Sequence, residues 1–525
     1  MNPESLVDTF RATARNYGAG PAIIFAGKTL DYATLDRLSD RAAATLAGRG
    51  VGRGDRVGLY CPNSDAFVIA YLAIIKCAAA VVPVNLLLNP KEIAFIFNDA
   101  EVSALVYHEA FAANVAQIKP LVNSLKTSIF IGRDRGAPED ILWTEAIASG
   151  KAPPPAAINP DEDLAAILYT SGTTGRPKGA MLTHRNLSAN TRGVREALKL
   201  EPGSERLIVV LPMFHAFAAT AGMLTPLLYG GAIVPLPRFE PQQVAEAIAS
   251  TRATIFLGVP SMFVALLRLP EPFTAKFAPL KYCASGGAAL PVAVMEQFEQ
   301  RFGKVIYEGD GPTECSPVTC VNPIGGKRKP GTVGKPIPGV EMKIMDEAGK
   351  ELPHGQIGEI CVRGANVMKG YWRLPGETQE AFFGAWFRTG DLGTEDAEGY
   401  FSILDRRKDM IIVNGMNIYP RIIEEVLIRF PGMRECAVVG EPHPLHGEIP
   451  LAYFSAVEGK EISDHDLRAF CLANLGRHEV PRKFIFMQEL PKNASGKIMK
   501  RELRRQGEVE RGVNIPPQKG TSDTR

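Results

Sequence analysis

Tyr169-Thr-Ser-Gly-Thr-Thr-Gly-Arg-Pro-Lys-Gly179 crowds four hydroxyl side chains, three glycines and a lysine into a turn that follows the apolar segment Ala165 to Leu168. Such a loop suits a triphosphate. Gly172, Gly175 and Gly179 let backbone N–H groups approach anionic oxygens, Thr170, Ser171, Thr173 and Thr174 add donors, and Lys178 adds charge. Read alone, the same composition also fits a flexible surface linker. It is not a Walker A loop: Pro177 precedes Lys178 and Gly179 follows it, so no hydroxyl is placed to bind magnesium in that manner.

Outward from this loop, the apolar runs Arg56 to Tyr60, Ala104 to Tyr107, Arg206 to Leu211 and Ala253 to Gly258 alternate with longer helix-like stretches, the pattern of an α/β protein. The proline cluster Pro153 to Pro155 reads as a connection inside the large domain. Near Lys408 the chain restarts with Met410 to Val413, then an amphipathic helix Arg421 to Phe430 with Ile422, Ile423, Val426, Leu427 and Phe430 on one face. Strand-like Cys436 to Val439 and Leu451 to Ser455 follow, completing the elements of a small α+β lid. The expected division is a large domain over 1–404, a hinge over 405–408, a lid over 409–505 and a tail over 506–525. That tail is polar, aperiodic and expected to be disordered.

A chain of 525 residues implies more than one domain, and 46% hydrophobic residues suffice for sizeable cores. The net charge of +2 argues against a general nucleic-acid surface. Eight cysteines without a CxxC pair, Cys315 and Cys320 being the closest, together with no secretory leader, read as reduced thiols in a cytoplasmic protein. No lipidation site or basic amphipathic helix marks a membrane anchor, which leaves peripheral contact with a membrane open, as it leaves monomer or homodimer open.

Six further stretches accompany the first in one order: Leu211-Pro-Met-Phe-His-Ala-Phe217, Ala284-Ser-Gly-Gly-Ala-Ala-Leu290, Gly309-Asp-Gly-Pro-Thr-Glu314, Arg388-Thr-Gly-Asp-Leu-Gly393, Asp405-Arg-Arg-Lys-Asp409 and Pro491-Lys-Asn-Ala-Ser-Gly-Lys497. All resemble motifs of the adenylate-forming superfamily, which joins acyl-CoA synthetases, aryl-CoA ligases, beetle luciferases and peptide-synthetase adenylation domains. The resemblance runs from Val51-Gly-Arg-Gly-Asp-Arg-Val57 to Lys497, nearly the whole chain. It implies a large N-terminal domain of α/β sheets with a β-barrel-like subdomain, and a small mobile α+β C-terminal lid. The apolar stretch Ala66 to Val84, about as long as a membrane span, is interrupted by Lys76 and Pro83. As in the family, it reads as a buried helix, Ala66 to about Ala79, followed by a strand, Ala80 to Pro83.

The implied reaction is ATP-dependent activation of a carboxylic acid to acyl-AMP and pyrophosphate, then transfer to coenzyme A, with Mg2+ as metal. A carboxylate is a poor electrophile because its leaving group would be an oxide, and adenylation removes that obstacle. The transition state gathers negative charge at phosphorus, so cations and oriented donors there carry catalysis. By resemblance Lys497 reaches the acyl carboxylate and α-phosphate, Thr313 donates to the α-phosphate, and Glu314 holds magnesium through a hard carboxylate oxygen. Asp391 takes the ribose hydroxyls and Arg406 the ribose and phosphate region. Thr170 to Gly175 and Lys178 cradle the phosphates, while Gly286, Gly287, Ala288, Asp310 and Gly311 border adenine. Asp310 departs from the family, which usually has an aromatic there, and a carboxylate cannot stack.

Lys408 occupies the hinge that lets the lid turn between half-reactions, and Gly415 resembles the glycine lying against pantetheine. The acyl pocket is expected from Phe214, His215, Phe217, Ala218, Gly222, Val259, Pro260 and Gly286, with His215 changing contacts between half-reactions or packing in the core. Apolar, small residues without an obvious buried cation favour a medium- or long-chain fatty acid. A cinnamate- or benzoate-like aryl acid is the alternative. Also open are delivery to a carrier protein, a silent acyl- or nucleotide-binding protein, and a luciferase-like oxidation.

Overall fold

The computed structural model describes residues 5–148, 150, 156–171, 176–493 and 496–510, excluding the side chains of 171 and 507–510. Gly172, Thr173, Thr174, Gly175 and the proline cluster lie outside the described residues. The apolar run ahead of Gly172 forms strand Leu164–Ser171, paired antiparallel with Pro177–Thr183 so that Thr170 faces Lys178. These two strands are the arms of a β-hairpin. That hairpin belongs to an eight-stranded sheet running Gly370–Tyr371, Pro177–Thr183, Leu164–Ser171, Ala80–Pro83, Arg56–Tyr60, Ala104–His108, Thr127–Ile131 and Ile141–Leu142.

Parallel strands covered on both faces read as continuous apolar runs, and Ala80–Pro83 is buried throughout. The apolar stretch before it is a helix, Asp65–Lys76, every residue of which after Asp65 is buried. Ser64 caps it by accepting from the Phe67 N–H at 3.2 Å. The helix ends three residues before the expected Ala79, because Ala78 takes the left-handed conformation at φ 55°. Lys76, its side chain 1% exposed, meets Asp36 at 2.6 Å and Asp40 at 2.8 Å, so the interrupting charge is neutralised inside the core. No helix among the described residues is long and apolar enough to cross a membrane.

A second, nine-stranded sheet runs Lys335–Pro336, Cys320–Val321, Ile306–Asp310, Tyr282–Ser285, Ile255–Gly258, Arg206–Val209, Ala232–Pro235, Pro21–Phe25 and Lys28–Asp31. Its middle is parallel, with register pairs Leu207–Ile255, Ile255–Tyr282 and Cys283–Ile306. A third sheet orders Val340–Met345, Gly358–Gly364, Trp386–Glu395 and Phe382–Phe383, with Phe401–Arg406 on Trp386–Glu395. Arg388-Thr-Gly-Asp391 therefore lies within a strand and not in a turn, with Gly390 at φ 75°.

The chain divides into two compact units, Met1–Thr389 with Thr394–Ser402, and Gly390–Gly393 with Ile403–Arg525. In the second unit a five-stranded sheet orders Met416–Ile418, Ile411–Val413, Gly447–Ala456 and Met433–His443, with Lys483–Phe486 parallel to Gly447–Ala456. The two long strands outrun the expected Cys436 to Val439 and Leu451 to Ser455. Helix Pro420–Leu427 buries Ile423 and Leu427 against this sheet, and the Asp405 carboxylate accepts from the Arg421 N–H at its start. Its end precedes the expected Phe430, which packs edge-on to Phe470 with ring centroids 5.4 Å apart. A last helix, Lys500–Glu510, makes 506–510 of the expected tail helical, and 511–525 lie outside the described residues. All eight cysteines are free thiols, and only Cys436 is not fully buried.

Candidate active site

Four neighbouring parallel strands of the nine-stranded sheet, Arg206–Val209, Ile255–Gly258, Tyr282–Ser285 and Ile306–Asp310, end side by side. Each empties into one stretch singled out from sequence: Leu211 to Phe217, Val259-Pro260, Gly286 to Leu290, and Gly311 to Glu314. Ligands of open α/β sheets bind at such carboxyl-terminal strand ends. The first loop turns as the His215 N–H donates to the Pro212 carbonyl at 2.9 Å, and the Phe217 N–H points to His215 Nδ1 at 3.4 Å. It leads into a π-helical segment, Ala218–Leu224, wholly buried and carrying Ala218 and Gly222. Widened helical turns of this kind occur often at functional sites. A Cβ built on Gly222 would touch Val209 at 3.4 Å, and one on Gly286 would touch Phe217 at 3.4 Å and the Gly309 carbonyl at 3.3 Å. Val259 lies 3.9 Å from where a Gly287 Cβ would sit, with Gly287 itself at φ 76°. Phe217, Val259, Gly286 and Gly287 are therefore brought together, with Pro260 and Ala288 half-buried at the same strand ends and Phe214 and His215 half-buried in the first loop.

Asp310 closes strand Ile306–Asp310 opposite Cys320. Its carbonyl accepts from the Thr319 N–H at 2.9 Å and the Thr319 hydroxyl at 3.0 Å, pinning a loop that leaves and returns through 311–319. The carboxylate charge of Asp310 adds to burial in raising the Cys320 thiol well above its ordinary range. Gly311 sits so close to the returning chain that a Cβ there would lie 1.8 Å from the Pro317 carbonyl oxygen. Thr313–Cys315 is one helical turn on this loop, and it presents Glu314.

Glu314 joins the two large sheets. Its Oε1 accepts from the Tyr371 hydroxyl at 2.9 Å and from Thr170 Oγ1 at 3.4 Å. Lys178, on the returning arm of the hairpin, pairs with Glu377 and stands 5.3 Å over the Tyr371 ring. Burial, then the neighbouring Glu314, pushes the Tyr371 phenol well above its ordinary value, so it stays a donor. Among the described residues no group of three or more His, Cys, Asp or Glu forms a metal cage. One carboxylate beside the stretch expected to hold phosphates fits Mg2+, which keeps waters and relies on substrate phosphates for most of its shell. Gly172, Thr173, Thr174 and Gly175, expected to share that work, lie outside the described residues, as does the side chain of Ser171.

Within the second unit Asp391 is buried, and Arg406 Nε lies 3.3 Å from its carboxylate. The Arg407 N–H donates to the Gly390 carbonyl at 2.9 Å, so this strand segment and the turn at 406–410 hold each other. Lys408 borders a cavity of about 300 Å3 together with Asp409, Glu441, Tyr453 and Arg504. Enclosure of its stem, and then Arg406, lower its ammonium below the usual range. Gly415 lies in an Asn414-Gly415 turn between Ile411–Val413 and Met416–Ile418, with φ of 51° and 81°. A Cβ there would meet no atom within 4 Å. In this conformation backbone handedness, not crowding, calls for glycine. Lys497 is half-buried; its N–H donates to Asn493 Oδ1 at 2.9 Å and its carbonyl accepts from the Asn493 N–H at 2.9 Å.

Sequence reasoning missed Tyr371 and Glu377. The short strand Gly370–Tyr371 pairs with the hairpin arm, Tyr371 opposite Ala180, and helix Pro375–Glu380 brings Glu377 to Lys178. The only signal was the aromatic pair Tyr371-Trp372 after a glycine. Trp372 is anchored by donating Nε1–H to the Asp99 carbonyl at 2.9 Å.

A model of the AMP-binding enzyme family matches residues 10–372, and a model of the AMP-binding enzyme C-terminal domain matches residues 422–497. The long-chain-fatty-acid–CoA ligase of Escherichia coli O6:H1 is 35% identical, covering 96% of this chain and 95% of that protein. A feruloyl-CoA synthase of Amycolatopsis sp. is 36% identical, covering 92% of this chain and 95% of its own length. The crystal structure of ATP-bound MatB from Rhodopseudomonas palustris superposes with a TM-score of 0.88 at 34% identity, covering 96% of this chain and 99% of that one.

Proposed function

The chain belongs to the AMP-binding enzyme family and is an AMP-forming acyl-CoA synthetase with ATP and coenzyme A as co-substrates, and from that premise we propose that its acid is a medium- or long-chain fatty acid. The observation that carries the proposal is the character of the strand-end wall. Ala218, Gly222, Val259 and Gly286 are buried, and Phe217 flanks them. Lys76 is the only Lys or Arg buried among the described residues, and Asp36 and Asp40 already hold it. A second carboxylate entering this crevice would find no buried cation to pair with, whereas an alkyl chain gains about 0.8 kcal/mol per methylene removed from water. Likeness to a long-chain-fatty-acid–CoA ligase along nearly the whole chain supports the same reading. Likeness to a feruloyl-CoA synthase supports an aryl acid as the second reading.

On this reading the acid carboxylate attacks the α-phosphorus of ATP, the bond to the pyrophosphate oxygen breaks, and acyl-AMP remains. Lys178 and the donors of Thr170 to Gly175 hold the phosphates, and Thr313 donates to the α-phosphate. Glu314 would hold Mg2+, which supplies charge neutralisation for the phosphates when bound. Asp391, a carboxylate beside Arg406, suits the ribose hydroxyls. Lys497 brings its charge to the acyl carboxylate, and rotation at Lys408 then exchanges it for the segment around Gly415, past which the thiol of coenzyme A reaches the acyl carbon. That thiol adds to the carbonyl, its proton is lost, and AMP leaves. Purified protein should release pyrophosphate with fatty acids, and added coenzyme A should raise turnover and be consumed one per AMP. Pyrophosphate release without thiol consumption would move the acceptor to a carrier protein.

A further inference from the structure

We propose that Glu377 stands in for a nucleotide phosphate on Lys178, so that triphosphate binding and pyrophosphate release proceed by exchange of a carboxylate for a phosphate on one lysine. The proposal rests on the reading of Lys178 and Glu314 as the phosphate and magnesium residues. Lys178 is only 15% exposed, and a lone ammonium so enclosed would carry a desolvation penalty. Glu377 offsets it, at 32% exposure, from the first turn of a separate helix. A phosphate that approaches Lys178 therefore meets a cation already neutralised.

The exchange has a scaffold. The hydroxyl of Thr378, next to Glu377, accepts from the Tyr371 N–H at 2.9 Å and donates to the Leu374 carbonyl at 2.8 Å. Tyr371 in turn holds Glu314, and the Trp372 N–H donates to the Gly179 carbonyl at 2.7 Å, one residue from Lys178. The guanidinium carbons of Arg56 and Arg373 lie 5.4 and 5.5 Å from the Trp372 ring and help to hold it. One braced segment, Gly370 to Thr378, thus supplies the counter-ion of the cation and the hydrogen-bond donor of the carboxylate. Tyr371 is a positioning residue here: it aims Glu314 while Glu377 holds the lysine. Competition at Lys178 weakens the hold on the β- and γ-phosphates, and so favours departure of pyrophosphate once the α–β bond has broken.

Equilibrium binding of α,β-methylene-ATP, pyrophosphate and AMP, in the presence of a chelator, tests this without turnover. Glu377→Gln keeps the shape and removes the charge, and it is expected to tighten the analogue and pyrophosphate by three- to thirtyfold while moving AMP less than twofold. Lys178→Ala is expected to weaken both by more than tenfold and to abolish the effect of Glu377→Gln in the double variant. Unchanged or weaker binding to Glu377→Gln, with Lys178→Ala still deleterious, overturns the exchange alone. Lys178→Ala binding as the parent does overturns the phosphate-site reading and the exchange with it. Tyr371→Phe should raise several-fold the Mg2+ concentration needed for tight analogue binding and leave chelator binding as it was; equal Mg2+ dependence removes Tyr371 from the proposal.

Discussion

Gly311→Ala is expected to disable adenylation out of proportion to its size. A Cβ at that position would lie 1.8 Å from the Pro317 carbonyl oxygen, 2.6 Å from its carbon and 2.9 Å from the Thr319 nitrogen. All three are backbone atoms, so no side chain can swing aside. Reaching even a 3.0 Å contact requires movement of about 1.2 Å in the returning chain. That movement breaks the two hydrogen bonds from Thr319 to the Asp310 carbonyl, at about 1 kcal/mol each. Overpacking adds about 1–3 kcal/mol, for a local cost of about 3–5 kcal/mol. Thr313 and Glu314 sit inside the displaced loop, and a shift of about 1 Å at a reacting centre costs on the order of a hundredfold in rate. Acid-dependent exchange of pyrophosphate into ATP should therefore fall about a hundredfold. Gly415→Ala is the control, since its Cβ meets nothing within 4 Å and the cost is left-handed backbone strain of about 1–2 kcal/mol. Exchange by Gly311→Ala within threefold of the parent would refute the placement of Thr313 and Glu314 at the phosphates.

Lys497→Ala should abolish acyl-adenylate formation while leaving much of the thioester step from supplied acyl-adenylate, and equal loss in both would contradict its assignment. Gly415→Leu should spare adenylation and block thioester formation; acyl-CoA production at the parent rate would show that the thiol passes elsewhere. For Asp310→Tyr, restored stacking predicts an apparent ATP constant lower by up to roughly tenfold with the acid profile unchanged, whereas a polar role predicts weaker binding or a shifted profile. Asp310→Asn indistinguishable from the parent for ATP, GTP and a chain-length series would leave no role for the carboxylate. His184 is wholly buried with no hydrogen bond to either ring nitrogen among the described residues, and burial pushes it down to about 4, against the opposing charges of Asp163 and Asp8. Because the depressed value lets the unfolded chain bind the proton first, stability should fall as pH drops from 6.5 towards 4, by up to about 1.4 kcal/mol per pH unit. Denaturant titrations of His184→Leu should show a flatter dependence in that window, and an unchanged slope would acquit this histidine.

Strand Arg56–Tyr60 and the buried helix after it were legible because parallel-sheet strands and enclosed helices carry unbroken apolar runs. The Asn414-Gly415 turn was visible as a glycine, although its sign of φ was not. The π-helical segment Ala218–Leu224 left no trace, since Ala, Thr, Gly, Met and Leu serve an ordinary helix equally well. Tyr371 and Glu377 escaped because their contacts are tertiary: pairing with Ala180 turns the tyrosine towards Glu314, a separate helix brings Glu377 to Lys178, and no local pattern encodes those partners. The complete burial of His184 at a helix start also left no trace, since Thr-His-Arg-Asn around it is polar. The strand placement of Asp391 was hidden, because Trp386–Glu395 overrides the local turn preference of Thr-Gly-Asp.

The acid is the centre of the account, and one competition experiment addresses it. Equimolar decanoate, palmitate, ferulate, benzoate and malonate are offered together with ATP, Mg2+ and limiting coenzyme A, and the acyl-CoA products are separated and weighed by mass spectrometry. Their initial ratios equal the ratios of kcat/KM. Decanoyl- or palmitoyl-CoA should exceed every aryl and dicarboxylic product by roughly tenfold or more, the least that several buried methylenes confer. Feruloyl-, benzoyl- or malonyl-CoA as the leading product would contradict the fatty-acid reading.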